Sequence, residues 1–413
     1  MDKLITSASA LSLYLVFFLF LIPSVEPRLI DLTWLANFKY LIVGMSLLFN
    51  FICLLLFKPN LHLTLSHRLV YAFLMVLLIT LPFSSSFIDS FMRVISVLMV
   101  VLFLGTNNNL NILFYESLLK LGYMVALFTV GISIPMYLII GEIFNVSGNF
   151  QGTYYNSNFL GMVCVLICIP SVLHFIHFRH LRFNKIKLIV NLSMLLGLFS
   201  LILLSRSRAA FVSLFILLLV FYFLRAKSAI KFSLKLVVIL LIFILSVVLF
   251  SNEKQKDDFM SQYVFKYESS GSLSSVTTTR MEIWSIRFQA INLKPIFGWG
   301  YGVNPAKTSP LIKDPGNGNT EKGNSILALI EEFGVIFGTG IIIIYVLLIT
   351  SALISFAKFT NAEIRDKYSL SLAILAAGFI HSNFESWLFY FGNVVTIFYW
   401  GILLNISNLK KSN

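Results

Sequence analysis

The feature that most constrains this chain is a series of apolar runs, each close to the length needed to cross a bilayer, repeated along nearly all of it. An α-helix rises 1.5 Å per residue, so about 20 apolar residues span roughly 30 Å of hydrocarbon. Such runs fall near 7–23, 35–57, 69–83, 88–105, 118–140, 159–178, 186–204, 209–224, 232–250, 326–350, 369–391 and 393–407. Hydrocarbon offers no water to the peptide groups, so each run must close its own hydrogen bonds as a helix. The expected fold is all-α: a polytopic membrane bundle of about twelve transmembrane helices, forming a single domain over 1–413. The third, fourth and twelfth runs are the shortest, so ten or eleven spans also fit. Composition agrees, with 58% hydrophobic residues and 12% charged, about half the charged share of an ordinary soluble domain.

Charge then sets orientation. The net charge of +13 comes from Lys and Arg gathered in alternate connections, such as Arg179 to Lys187, Arg225 to Lys235 and Lys358 to Lys367, while the opposite connections at 24–34, 84–87 and 141–158 hold only Arg28. The side rich in cations is the cytoplasmic one, which places both termini inside and the long segment 251–325 outside. This pattern explains the basic balance without nucleic acid. The N-terminal run resembles a signal peptide, yet no small-residue cleavage site follows it, and it reads as a retained first helix. Cys53, Cys164 and Cys168 lie in apolar runs, which leaves no disulfide framework and no zinc site.

Within 251–325 one stretch, RMEIWSIRFQAINLKP (280–295), reads as a helix, with Thr279 as N-cap and Pro295 closing it. Arg280, Trp284 and Arg287 recur at i, i+4 and i+7 on one face, with Glu282 off it. Two readings are open: an amphipathic helix lying on the membrane, or a cationic face for a polyanion, because a guanidinium contacts phosphate oxygens bidentately. The turn SRSRAAF (205–211) places Arg206 and Arg208 at the outer interface; these either snorkel to lipid headgroups or bind an anion, and four outer arginines then converge. The GWGYG run (298–302) is not a nucleotide loop, since no strand precedes it and no Lys-Ser/Thr follows. His381 lies four residues before Glu385 in GFIHSNFESWLF, so both are expected on one side of a helix. They form either a structural pair or a base. Glu331 and Glu332, early in the tenth run, are costly placements in a membrane helix.

Three of these stretches resemble the O-antigen ligase/Wzy polymerase superfamily of cell-surface polysaccharide assembly, over 186–407. SRSRAAF is similar to the family's Ser/Thr-x-x-Arg-Gly/Ala motif at Arg208. TTTRMEIWSIRFQAINLKPIFGWGYG resembles its Arg, aromatic, Pro-x-x-Gly-x-Gly signature at Arg280, and GNSILALIEEFGVIFG resembles its His-Asn-x9-Gly motif at Asn324 and Gly334. Where ligases of the family carry a His, this chain has Gly323, which favours the polymerase branch.

The resemblance implies a glycosyltransferase of the bacterial inner membrane. A growing glycan would pass from undecaprenyl pyrophosphate to the non-reducing end of another lipid-linked repeat unit, at the periplasmic face, with 251–325 as a large periplasmic loop. Arg208 and Arg280, helped by Arg206 and Arg287, would hold the pyrophosphate; Glu282 or the His381–Glu385 pair would act as base; Trp284 and Asn324 would contact substrate. Neither cofactor nor metal is implied. Partners would be the undecaprenyl-pyrophosphate-linked oligosaccharide, membrane lipids and a chain-length regulator protein, with no nucleic acid. The rivals are a ligase of the same family and, in a different class, a flippase for lipid-linked oligosaccharide.

Overall fold

A computed structural model describes residues 2–25, 33–57, 65–110, 113–140, 145–146, 149–178, 185–225, 275–309, 311–312, 322–357 and 362–406. The run at 232–250 and the first part of the 251–325 segment, including Asp257 and Asp258, lie outside them.

The helices, in chain order, are α1 (Asp2–Leu21), α2 (Thr33–Phe57), α3 (Leu65–Thr80), α4 (Phe87–Leu110), α5 (Phe114–Ile140), α6 (Ser157–Val163), α7 (Ile169–Phe178), α8 (Lys185–Ser205), α9 (Arg208–Arg225), α10 (Ser275–Leu293), α11 (Pro305–Thr308), α12 (Ser325–Ala357), α13 (Ala362–Ser382) and α14 (Val394–Asn405). A π-helical stretch, Cys164–Cys168, joins α6 to α7 as one rod. The described strands, β1 (Asn145–Val146) and β2 (Asn149–Phe150), pair antiparallel in a two-residue ribbon.

The protein is an all-α polytopic membrane bundle. Among the described residues, eight helices are long and apolar enough to cross a membrane, and two shorter apolar ones cover Arg68–Phe83 and Val394–Asn405. Outward side chains such as Leu138 and Ile139 are about four-fifths exposed, a placement that water would penalise and hydrocarbon solvates. At the centre every residue of α14 is buried, so this short helix is a post around which the others pack, and α13 packs extensively against α9.

Two sequence expectations change here. The run 369–391 is not one helix: α13 stops at Ser382 and residues 383–393 form successive turns. Asn383 starts them, its side chain bonding back to the Phe379 carbonyl at 2.8 Å, which competes with the helical ladder. Nor does Thr279 cap a helix, since α10 begins at Ser275 and passes through it; Ser and Thr are only mildly unfavourable inside helices.

The bundle has two distinct ends. At one, the turns 84–86, 151–156, 205–207, 294–304 and 383–393 gather, as shown by bonds from Ser85 N–H to the Trp299 carbonyl (2.8 Å) and from Asn158 Nδ2 to Glu385 Oε1 (3.0 Å). At the other, Glu116 meets His174 (2.8 Å) and Lys367 (3.2 Å), and Arg225 pairs with Asp366 (2.8 Å).

Candidate active site

The first end is organised by a break in α12. Gly334 has φ 71° and ψ 176°, a backbone region open only to glycine. The helix therefore stops at Phe333 and restarts at Val335, which strands carbonyls on one half and amides on the other. The loop after α10 satisfies both sets. Trp299 N–H donates to the Glu331 carbonyl (3.0 Å), Gly300 N–H to the Glu332 carbonyl (2.8 Å), and Val335 N–H to the Pro295 carbonyl (2.7 Å). A Cβ on Gly334 would overlap the Ile296 carbonyl, so the close crossing of these two backbones requires glycine. The Pro-x-x-Gly-x-Gly step is thus the backbone cap of a broken membrane helix.

The cap sets Glu331 and Glu332 against two cations. Arg287, from α10, reaches Glu331 Oε2 at 3.1 Å and Oε1 at 3.3 Å. Lys322 Nζ lies 2.8 Å from Glu331 Oε1 and 2.7 Å from Glu332 Oε1. All four side chains are buried or nearly so. Burial alone would lower the Lys322 pKa, but Glu331 and Glu332 outweigh it and hold it above the usual lysine range. The ammonium therefore stays charged, and the costly carboxylates are each countered, as a low-dielectric site demands.

Beside this quartet lies a cavity of about 410 Å³. Its walls include Arg93 of α4, Asn156, Phe159 and Met162 around the start of α6, Tyr301 and Asn304, and Glu385, Trp387, Tyr390 and Asn393 of the last turns. Tyr301 is fixed by a hydrogen bond from its hydroxyl to the Phe389 carbonyl, 2.6 Å.

Of the residues singled out from sequence, Glu385 lines the cavity, its carboxylate accepting from Asn158. His381 does not share its helix face: it sits at the end of α13, fully buried, accepting a 3.1 Å bond from Trp387 Nε1 on Nδ1. It therefore stands behind a cavity wall and positions Trp387. Asn324 is the N-cap of α12, its Oδ1 taking the N–H groups of Ile326 (2.8 Å) and Leu327 (3.0 Å) and its Nδ2 donating to the Asn383 carbonyl (3.1 Å). That amide is spent on the fold. Trp284 donates to the Gly323 carbonyl at 3.4 Å. The side chains of Arg280 and Glu282 lie outside the described residues.

Arg206 and Arg208 stand at the same end, where Arg206 adopts a left-handed φ of 52°. They flank α6: Phe159 and Met162 face the cavity, whereas Gly161 packs against Ser205, Ser207 and Ala210 of the arginine turn. The expected convergence of four arginines is corrected in one respect, because Arg287 is committed to Glu331. Sequence reading missed Arg93 altogether. The signal was there, an arginine inside an apolar run, FMRVISVLMV, a placement that is functional by default.

No curated protein matches the chain. Residues 192–343 match a family described as O-antigen ligase. The matched stretch takes in the arginine turn, α10, the capping loop and the break at Gly334, whereas Arg93, His381 and Glu385 lie beyond it. That match covers the stretch over which the sequence resembles the O-antigen ligase/Wzy polymerase superfamily.

Proposed function

We propose that this protein is a Wzy-type polysaccharide polymerase of the bacterial inner membrane, acting on lipid-linked glycans at the periplasmic face with both termini in the cytoplasm. The observation that carries this reading is the placement of the Arg206–Arg208 turn and the Glu385-lined cavity at one end of the bundle, separated only by the start of α6. In the reaction an acceptor hydroxyl at the non-reducing end of one repeat unit attacks the anomeric carbon of the donor glycan. The new C–O bond forms as the bond to undecaprenyl pyrophosphate breaks, and the pyrophosphate leaves with the electron pair. Attack from the opposite face inverts the anomeric centre. Glu385 takes the hydroxyl proton. Arg208, with Arg206 and Arg280, stabilises the charge gathering on the leaving group.

Polymerase is favoured over ligase at position 323, where family ligases carry a histidine and this chain has a glycine with φ 64°. A left-handed backbone there suits glycine. A deletion strain distinguishes the readings. Loss of a polymerase leaves surface core plus one repeat; loss of a ligase strands polymer on its carrier; loss of a flippase displays no repeat. In a complemented polymerase deletion, Arg208→Ala or Arg280→Ala should insert normally and abolish long chains. Normal polysaccharide ladders in both variants overturn the pyrophosphate assignment.

A further inference from the structure

Around the cavity, Arg287, Lys322 and Glu332 are engaged with one another or with Glu331. Arg93 is not part of that set. Among the described residues its partners are the hydroxyl of Tyr390, 3.4 Å from Nη1, and the ring of the same tyrosine, 5.7 Å from Cζ; no described carboxylate pairs with it. Its arm passes over Gly302, φ 70°, where a Cβ would overlap the Arg93 side chain. A guanidinium held on an aromatic ring, with a glycine clearing its path, stands at the wall of a cavity.

The same wall carries amide donors beside the carboxylates of Glu332 and Glu385. Asn156, Asn304 and Asn393 all line the cavity. Each spends its side-chain oxygen on a helix start: Asn156 accepts from Asn158 N–H (2.8 Å), Asn304 from Ala306 N–H (3.2 Å) and Asn393 from Thr396 N–H (2.9 Å). The side-chain NH2 groups are thereby left as donors. A guanidinium and three amide donors match a phosphate, which offers acceptors alone.

We propose that Arg93, with the cap amides of Asn156, Asn304 and Asn393, forms an anion subsite for the diphosphate of the lipid-linked donor. On this assignment Arg93 takes the role that sequence alone assigned to Arg287. The inference rests on the lipid-linked substrate class of the proposed function, and it names the residues that read that substrate's phosphates.

Binding to the full chain in nanodiscs tests it, with undecaprenyl pyrophosphate, inorganic pyrophosphate and undecaprenol as probes. Arg93→Gln should bind undecaprenyl pyrophosphate at least tenfold more weakly than the unmodified protein and lose competition by inorganic pyrophosphate to a similar degree, while undecaprenol binding stays unchanged. Binding of undecaprenyl pyrophosphate within twofold of the unmodified protein overturns the assignment. So does an equal loss of undecaprenol binding, which would make Arg93 a structural residue rather than a reader of phosphate. Should Arg93→Gln fail to insert, Arg93→Lys carries the test, with weakened inorganic pyrophosphate competition expected and unweakened competition overturning it. Because binding is read without turnover, a protein that binds through Arg93 yet builds no polymer overturns the polymerase reading and leaves this subsite standing.

Discussion

Arg287, Lys322, Glu331 and Glu332 form a closed set in which two cations meet two carboxylates at 2.7–3.1 Å. Buried charges that lose a partner are costly, on the order of 3–5 kcal/mol, so Arg287→Ala should lower the thermal midpoint in detergent sharply. Pairing it with Glu331→Gln removes the excess carboxylate and leaves Lys322 matched to Glu332, and the double variant should lose less than the sum of the two single variants, by about 1–3 kcal/mol. Strict additivity in melting experiments would show that the pair is not coupled. Arg287, Glu331 and Glu332 stood out in the sequence, but their pairing did not, and Lys322 drew no notice there. Arg287 and Arg280 look equivalent along a helix face; only folding reveals that Arg287 faces Glu331, forty-four positions away. Asn324 likewise reads as a polar residue near a site until its amide is seen capping α12.

At the scale of elements, the broken helix governs the site. Its two halves are held together by the loop that follows α10, through backbone groups that hydropathy does not register. Gly334→Ala would bring a Cβ into the Ile296 carbonyl at a φ that disfavours any side chain, so it should expose the 294–304 loop to limited proteolysis and abolish long chains. Gly340→Ala is the matched control. It lies in the same helix with nothing within 4 Å of an added Cβ, and a mid-helix Gly to Ala change stabilises by roughly 0.5–1 kcal/mol. If both variants resist protease equally, the break has no part in seating the loop. The failure of 369–391 as one helix has a comparable cause. SWLFYFG is as apolar as a span, yet it packs as turns whose backbone bonds to Thr396 and Ser325 side chains, and apolar turns inside a protein carry no hydropathy signature.

The whole molecule separates a cavity end from an end bearing the Glu116–His174–Lys367 and Arg225–Asp366 contacts. Under the proposed orientation the cavity end faces the periplasm. In a background with Cys53, Cys164 and Cys168 replaced by Ala, Tyr155→Cys should react with an impermeant maleimide in spheroplasts, and Arg365→Cys only after lysis. Both positions are exposed; labelling in the reverse order would invert the topology and remove the site from its substrate. Hydropathy is enough to make this chain a multi-pass helical bundle, because burying unbonded peptide groups in hydrocarbon is prohibitive whatever the tertiary contacts. The sequence also marked the arginine turn and the glycine-rich step, whose residue types are locally distinctive. Which charges remain open to a substrate is set by folding. That depends on pairings between distant helices, and it withdrew Arg287 while bringing forward Arg93.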